Sequence, residues 1–504
     1  MRSSTSTSAF AAVDLGADSG RVVLCRFDGE VMSLEVVHRF ANRSVRLPDG
    51  LHWDLPGLFA DTLDGLVRAA AIAPLQGVGV DAWGVDYALL DGSSRMLGLP
   101  FHYRDARTDG VVELVHRRVA REELYAVTGI QTMPINTVFQ LAAEAGGPCA
   151  LAAEKIALVP DLIALWLTGE LANEVTAAST TGLLDARTGG WARELIARVG
   201  LPSAPFSGEP VEPGQPLGGV LRAHAQLAGV PVWTVGGHDT ASAFVAAPLA
   251  GEGAAVLSSG TWSLLGLEVA EPFLGADAAA FNLTNERGVD GTTRLLRNVM
   301  GLWLLQECVR AWRADGLSAE HEELATLAER ARPDVALFDP DDETLLAPGD
   351  MPARIAACCA LLGQAAPAGA GETVRAIQLS LACKYRLVLE RLEAITGARV
   401  NVIHVVGGGA RNEQLCRLTA QLTRRVVIAG PVEATALGNA LVQARAAGEL
   451  AGSLTQLHAV AGASSEVTRY EPGREDQAEE TFARFLRVTG LRATVPETQP
   501  RGVR

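Results

Sequence analysis

Eight consecutive residues near the start of the chain, Asp14-Leu15-Gly16-Ala17-Asp18-Ser19-Gly20-Arg21, combine two carboxylates, a hydroxyl, a guanidinium and two glycines. A tight turn of that composition between two strands can aim several backbone N–H groups at one anion, with Ser19 adding a hydroxyl and Arg21 a positive charge. Ala17, Asp18, Ser19, Gly20 and Arg21 are therefore a candidate phosphate clamp, although Asp, Gly and Ser are also what an ordinary hairpin turn requires. Asp14 falls at the end of the preceding strand, where a carboxylate can hold Mg²⁺ directly or through water; a turn-forming Asp is the plainer reading. Ser258-Ser259-Gly260-Thr261 repeats the pattern much later in the chain. Two such turns facing each other across a cleft could grip the phosphates of one nucleotide from both sides, which is far more specific than either turn alone.

Gly236-Gly237-His238-Asp239-Thr240 occupies a predicted strand-to-helix joint. Asp239 there is either a helix N-cap or a base that takes the proton of a substrate hydroxyl as it attacks a phosphoryl group. Asp81-Ala82-Trp83-Gly84-Val85-Asp86 places a Trp and a Gly just past a strand, which suits stacking on a sugar or, more plainly, a core Trp. Tyr103-Arg104-Asp105-Ala106-Arg107 could hydrogen-bond a polyol or form a solvated, salt-bridged loop. Gly407-Gly408-Gly409-Ala410-Arg411-Asn412 would let backbone approach a flat ligand, with Arg411 or Asn412 near adenine or ribose, or would be an ordinary ligand-free turn. Gly77-Val78-Gly79 grazes a dinucleotide fingerprint, but it lacks the preceding strand and following helix that this mechanism needs.

The elements that must position these groups are legible in outline. Phe10 to Val13 and Arg21 to Phe27 read as a hairpin, and Ala254 to Leu257 with Trp262 to Leu267 read as a second one. Between them come a strand end at Gly77 to Ala82, a helical segment from Asp161 to Leu167 and a strand from Val232 to Val235. The last third alternates: a long helix from Glu372 to Thr396, a strand from Val400 to Val406, a helix through Leu422, a strand from Val426 to Ala429 and an Ala-rich helix opening near Ala434. The repeated hairpin predicts two related halves joined at about residue 247, within the Pro/Gly-rich stretch from Pro248 to Gly253. That gives a first domain of residues 1–247, a second of 248–490 and a Pro/Thr/Arg-rich tail of 491–504.

A chain of 504 residues exceeds one ordinary core, and 48% hydrophobic with 20% charged residues is a globular composition. The net charge of -15 argues against nucleic-acid and anionic-membrane partners. Lys155 and Lys384 are the only lysines, which removes a lysine-dependent P-loop. The seven cysteines are scattered through apolar runs without CxxC spacing and read as buried thiols. Met1 to Ser8 is polar and no stretch has the length of a membrane span, so a reducing cytoplasm is the expected compartment. Zinc-site spacing, a GxSxG elbow and an aromatic-interleaved basic stretch are all missing from the sequence.

Taken together, Asp14 to Arg21, Asp81 to Asp86, Tyr103 to Arg107, Asp161 to Glu170, His238 to Thr240, Ser259 to Ser263 and Gly407 to Asn412 resemble, in order and spacing, the FGGY carbohydrate kinases. The resemblance runs from about residue 10 to about residue 450. It implies an α/β fold of two ribonuclease H-like (actin-like ATPase) domains around a central cleft. Val13 to Gly16, the Asp81 to Asp86 run, His238 to Ser242, Ser258 to Ser263 and above all Asn298-Val299-Met300-Gly301-Leu302-Trp303-Leu304-Leu305-Gln306 are worded most like the branch that phosphorylates L-rhamnulose at C1 with MgATP. Carried over position by position, the resemblance implies that Ala17 to Arg21, Thr261, Gln306 and Gly408 hold ATP. Gly84, His238, Asp239, Thr240 and Asn298 hold the ketose, with Asp239 as base. Asn298 and Gln306 rest on the resemblance alone. Asp18 departs from the pattern, since relatives usually carry Ser there; a carboxylate facing phosphates unshielded would weaken ATP binding and sharpen its Mg²⁺ dependence. Two alternatives stay open: the same reaction on fuculose, xylulose or a related polyol, and a non-catalytic, sugar-responsive or actin-like ATP-binding protein. Oligomeric state is not legible.

Overall fold

A computed structural model describes residues 7–249, 253–473 and 475–493. The first sheet is built from Ser8–Leu15 (β1), Ser19–Phe27 (β2), Met32–Ala41 (β3), Leu75–Ala82 (β4), Pro216–Gly219 (β5) and Pro231–Trp233 (β6), in the order β3-β2-β1-β4-β6-β5. The second uses Ala254–Ser259 (β7), Trp262–Val269 (β8), Thr284–Arg287 (β9), Thr293–Met300 (β10), Val402–Val406 (β11), Val426–Ala429 (β12) and Thr468–Tyr470 (β13), in the order β9-β10-β8-β7-β11-β12-β13. Both sheets contain the same path of three antiparallel strands continued by two parallel ones: β3-β2-β1-β4-β6 in the first and β10-β8-β7-β11-β12 in the second. The two hairpins legible in the sequence are thus the leading strands of two copies of one sheet.

Helices Leu55–Ile72 (α1), Val159–Thr168 (α2), Asp239–Val245 (α3), Trp303–Ala314 (α4), Gly369–Thr396 (α5), Glu413–Thr423 (α6) and Ala434–Ala446 (α7) pack on these sheets. Local chemistry sets several of their ends. The Asp54 side chain accepts from Gly57 N at the start of α1, Asn412 accepts from Leu415 N at the start of α6, and α5 stops at Gly397, whose φ of 70° suits the left-handed cap.

Every residue of β1 is buried, because the sheet is covered on both faces. Successive side chains alternate. Ala9, Ala11, Val13 and Leu15 join a core with Leu55, Leu58, Leu66 and Ala69 of α1, whereas Phe10 and Ala12 enter a second core with Ala436, Leu437, Ala440 and Leu441 of α7. That second core also takes Phe244 from α3, Val256 from β7 and Val406 from β11, so it belongs to both sheets and α3 and α7 lie between them.

Several expected boundaries move. β1 and β2 each reach further than read, leaving only residues 16–18 as the turn, and β6 closes at Trp233 rather than Val235. Gly77 and Gly79 lie inside β4; a Cβ on Gly79 would come within 2.4 Å of Asn439 Oδ1, so these glycines admit α7 rather than a dinucleotide. All seven cysteines are free thiols and six are buried, Cys149 being partly exposed. Among the described residues no helix is long and apolar enough to cross a membrane. Part of the expected join, residues 250–252, and most of the expected tail, residues 494–504, lie outside the described residues, as do residues 1–6.

Candidate active site

The alternation that divides the core also aims the site. Asp14 shares the parity of Phe10 and Ala12, so at the end of β1 its carboxylate turns into the space between the sheets. Ser258 follows Val256 in the same way on β7. Both residues line a cavity of about 290 Å³ whose walls also include Ala17, Asp18, Ser19, Arg21, Gly84, His238, Asp239, Thr240, Thr261, Asn298, Gln306 and Gly408. One cleft therefore collects Asp14 and every residue that the resemblance assigns to ATP or the ketose except Gly20. That glycine lies on β2 beneath Phe40, where a Cβ would come within 2.2 Å of the ring. Its absence from the cleft follows from strand alternation, since its neighbours Ser19 and Arg21 take the inward positions.

The two turns meet directly. Thr261 Oγ1 donates to Asp18 Oδ2 at 2.6 Å, and Arg310 Nη2 lies 3.5 Å from the other oxygen of the same carboxylate. Asp18 thus faces the opposite turn, with cationic company. Gly409 brings the third glycine-rich segment against the second turn, because a Cβ there would sit 2.0 Å from Ser259 Oγ. Gln306, from the first turn of α4, has a buried Oε1 without a hydrogen-bond partner. Arg411 and Asn412 are not among the residues around the cavity; Asn412 is occupied as the cap of α6 and accepts from Gln378 Nε2 at 3.4 Å.

Asp14 is paired with Arg21 at 2.5 Å, and Arg21 also reaches Glu433 at 2.9 Å. Parallel register sets Asp81 of β4 beside Asp14. Burial raises the Asp14 carboxyl above its ordinary value, Arg21 opposing this and Asp239 adding to it; burial and then Asp14 raise Asp81 more strongly. The Asp81 Oδ1 is buried without a partner, while Oδ2 accepts from Asn439 of α7 at 2.6 Å. Asp14, which lines the cleft, and Asp81 beside it are hard oxygen donors of the kind a small divalent cation takes, and among the described residues no group of three or more such side chains is arranged to hold a metal by itself.

On the other side of the cleft, Asp239 is the first residue of α3 and His238 takes the N-cap position, so the capping reading of Asp239 fails. The segment before it is clamped by buried groups: Gly237 N donates to Glu174 Oε2 at 3.0 Å, His238 N to Thr176 Oγ1 at 3.2 Å, and Ala82 N to Gly237 O at 2.9 Å. Asp239 Oδ1 accepts from Thr240 Oγ1 at 3.0 Å. Trp83 and Tyr103 line the floor and are tied to the buried Asp86, whose Oδ2 accepts from Trp53 Nε1 at 2.6 Å, Trp83 Nε1 at 2.9 Å and Tyr103 N at 3.3 Å. Trp83 is both core and wall, which joins the two readings of it. Arg104 and Arg107 of the same cluster are not among the residues around the cavity, Arg104 stacking 3.9 Å over Trp303 and Arg107 donating to Gln140 Oε1 at 2.7 Å.

Several lining residues carry no signal in the sequence. Gln131 bridges the cleft, accepting from Asn298 N at 2.9 Å and donating to Asn298 O at 3.1 Å. Glu286 and Thr284 come from β9. Only the strand register, not local wording, brings Glu286 to the site.

Two copies of one sheet, a helix pair between them and a cleft where the paired turns meet define a two-lobed architecture with its site between the lobes. Solved structures share it across nearly the whole chain. A gluconate kinase from Lactobacillus acidophilus aligns with a TM-score of 0.77 at 15% identity, covering 96% of this chain and 98% of that one. A Plasmodium falciparum glycerol kinase with ADP aligns with a TM-score of 0.76 at 15% identity, covering 96% and 99%. The N-terminal domain model of the FGGY family of carbohydrate kinases matches residues 9–246 and its C-terminal domain model matches residues 255–447. The chain belongs to the FGGY family of carbohydrate kinases. Among curated proteins it is 41% identical to a rhamnulokinase of Bacteroides thetaiotaomicron over 446 residues, covering 87% of this chain and 91% of that protein. It is 40% identical to a rhamnulokinase of Pectobacterium atrosepticum over 497 residues, covering 97% of each.

Proposed function

We propose that this chain transfers the γ-phosphoryl group of ATP to the C1 hydroxyl of L-rhamnulose, giving L-rhamnulose 1-phosphate and ADP. The carrying observation is the position of Asp239: a partly exposed carboxylate in the same cleft as two phosphate-type turns that meet through Asp18 and Thr261. Near-full-length likeness to two rhamnulokinases supports the choice of sugar. The division at about residue 247 puts one turn in each domain.

The backbone of Ala17 to Ser19, with Arg21, Thr261, Gln306 and Gly408, orients the nucleotide. Gly84, His238, Thr240 and Asn298 hold the ketose against the floor of Trp83 and Tyr103. Asp239 takes the hydroxyl proton as oxygen attacks phosphorus. Closure of the lobes excludes water, so the alcohol rather than solvent receives the phosphoryl group. Asp14 would hold Mg²⁺, which when bound neutralises phosphate charge. The free thiols and the demand for ATP favour a cytoplasmic setting.

ADP formation measured with L-rhamnulose, fuculose and xylulose tests the assignment. L-rhamnulose should give the highest kcat/KM; preference for another ketose would reassign the sugar, and sugar-independent nucleotide binding without turnover would favour a non-catalytic protein. Asp239→Asn should lower kcat by roughly 10²–10⁴-fold with sugar binding largely retained. Near-normal turnover in that variant would remove Asp239 as base.

A further inference from the structure

His238 faces more than sugar. Beside it lie Glu286, which also reaches the cleft wall, and Arg294, direct cross-strand partners on β9 and β10, both buried and neither identified by sequence motif. Arg294 Nη1 lies 3.0 Å from Glu286 Oε2, and Arg294 Nε is anchored on Arg287 O at 3.0 Å. Burial acts to raise the Glu286 carboxyl, and the Arg294 charge leads the neighbours that hold it below its ordinary value. This is an ion pair fixed within the protein, with one edge against the imidazole.

Arg294 Nη2 lies 3.2 Å from His238 Nδ1. A guanidinium has donors only, so in that bond Nδ1 must accept and carry no proton. Glu286 Oε2 stands 3.3 Å from the same nitrogen without forming a hydrogen bond to it, its charge offset by Arg294 Nη1 at 3.0 Å. The neutral ring then bears its proton on Nε2, and Asp239 Oδ1 stands 3.5 Å from that nitrogen, longer than a formed hydrogen bond. Oδ1 accepts from Thr240 Oγ1, and among the described residues nothing donates to Oδ2.

We propose that the Glu286–Arg294 pair is a positioning device that fixes the Nε2–H tautomer of His238, so that this N–H and the Thr240 hydroxyl are both presented to Oδ1 of Asp239 and Oδ2 is left as the atom that takes the substrate proton. Glu286 and Arg294 act through His238. The catalytic consequence rests on the proposed phosphoryl transfer, whereas the tautomer does not.

Removing one member would strand a buried charge and endanger folding, so the test removes both in Glu286→Gln/Arg294→Met. Long-range ¹H–¹⁵N spectra of histidine-labelled protein, with the His238 signals assigned by their loss in His238→Gln, should show a protonated Nε2 and an unprotonated Nδ1 in the parent. The double variant should show a mixture of tautomers. Its kcat with L-rhamnulose should fall ~10- to 100-fold, the size seen when an outer partner orienting a functional His is removed, while the ATP dissociation constant stays unchanged. In the His238→Gln background the same pair of substitutions should lower kcat no further. An Nδ1–H tautomer in the parent, an unchanged tautomer in the double variant, or additive losses in the His238→Gln background would each overturn the inference. A fixed Nε2–H tautomer that the double variant releases, in an enzyme that prefers another ketose, would support the device and count only against the proposed sugar.

Discussion

Asp18 puts a carboxylate into the first turn, where its physical effect can be weighed. A carboxylate some 4 Å from a phosphate charge would oppose binding by ~4 kcal/mol at an effective dielectric of 20. Here Thr261 donates to it, Arg310 stands beside it, and the side chain keeps 37% exposure, all of which shrink the effect. A net opposition of about 1 kcal/mol remains reasonable for such a screened site. Asp18→Ser should therefore lower the KM for ATP by about fivefold and flatten its dependence on free Mg²⁺, with kcat little changed; ATP saturation curves at several Mg²⁺ concentrations check this. A higher KM would mean that Asp18 aids the nucleotide, through the metal or through Arg310. Asp14, Asp18, Thr261 and Asp239 were legible because turn and joint chemistry is local. Gln131, Glu286 and Arg294 were not, because each acquires its role from a partner more than 40 residues away or from strand register.

At the scale of elements, the crossing of α3 and α7 holds the architecture together. Gly438 of α7 lies so close to α3 that a Cβ would fall 1.8 Å from Ser242 O, a backbone atom that cannot swing aside. Gly438→Ala should destabilise the protein by about 1–3 kcal/mol or more, read as a lower midpoint in thermal unfolding, despite the better helix propensity of Ala. A raised midpoint would show that the helices can part without loss. Both hairpins, α5, α6, α7 and the strands between them were readable from periodicity and glycine punctuation. Val235 reads as strand because it is apolar and buried, but β6 ends at Trp233: Thr234 exchanges backbone hydrogen bonds with Gly214 and Gln215 in the loop before β5, and Gly237 N and His238 N go to the side chains of Glu174 and Thr176. Sequence periodicity records burial, and burial does not require a ladder.

For the whole molecule, acidity is part of the setting: a net charge of -15 makes every further buried carboxylate harder to ionise. Asp86, beneath the cleft floor, is pushed up to about 6 by burial, against the hydrogen bonds from Trp83, Trp53 and Gln140. Its folded value lies above the unfolded one, so the stability tied to binding that proton is fully present below pH 3.8 and is lost as the pH rises through about 6. Asp86→Asn lacks this proton-linked contribution, so the stability gap between parent and variant should narrow by up to about 3 kcal/mol between pH 4 and pH 7, followed by thermal unfolding. A gap that widens would mean that the four donors, not burial, govern this carboxyl.

The helices lodged between the sheets carry one more implication, for ancestry. A lineage holding two joined copies of the same sheet is free to lengthen connections and recast surface loops. It is not free to let the copies go separate ways: gene fission would leave each product with an oily flank and one jaw of a vice.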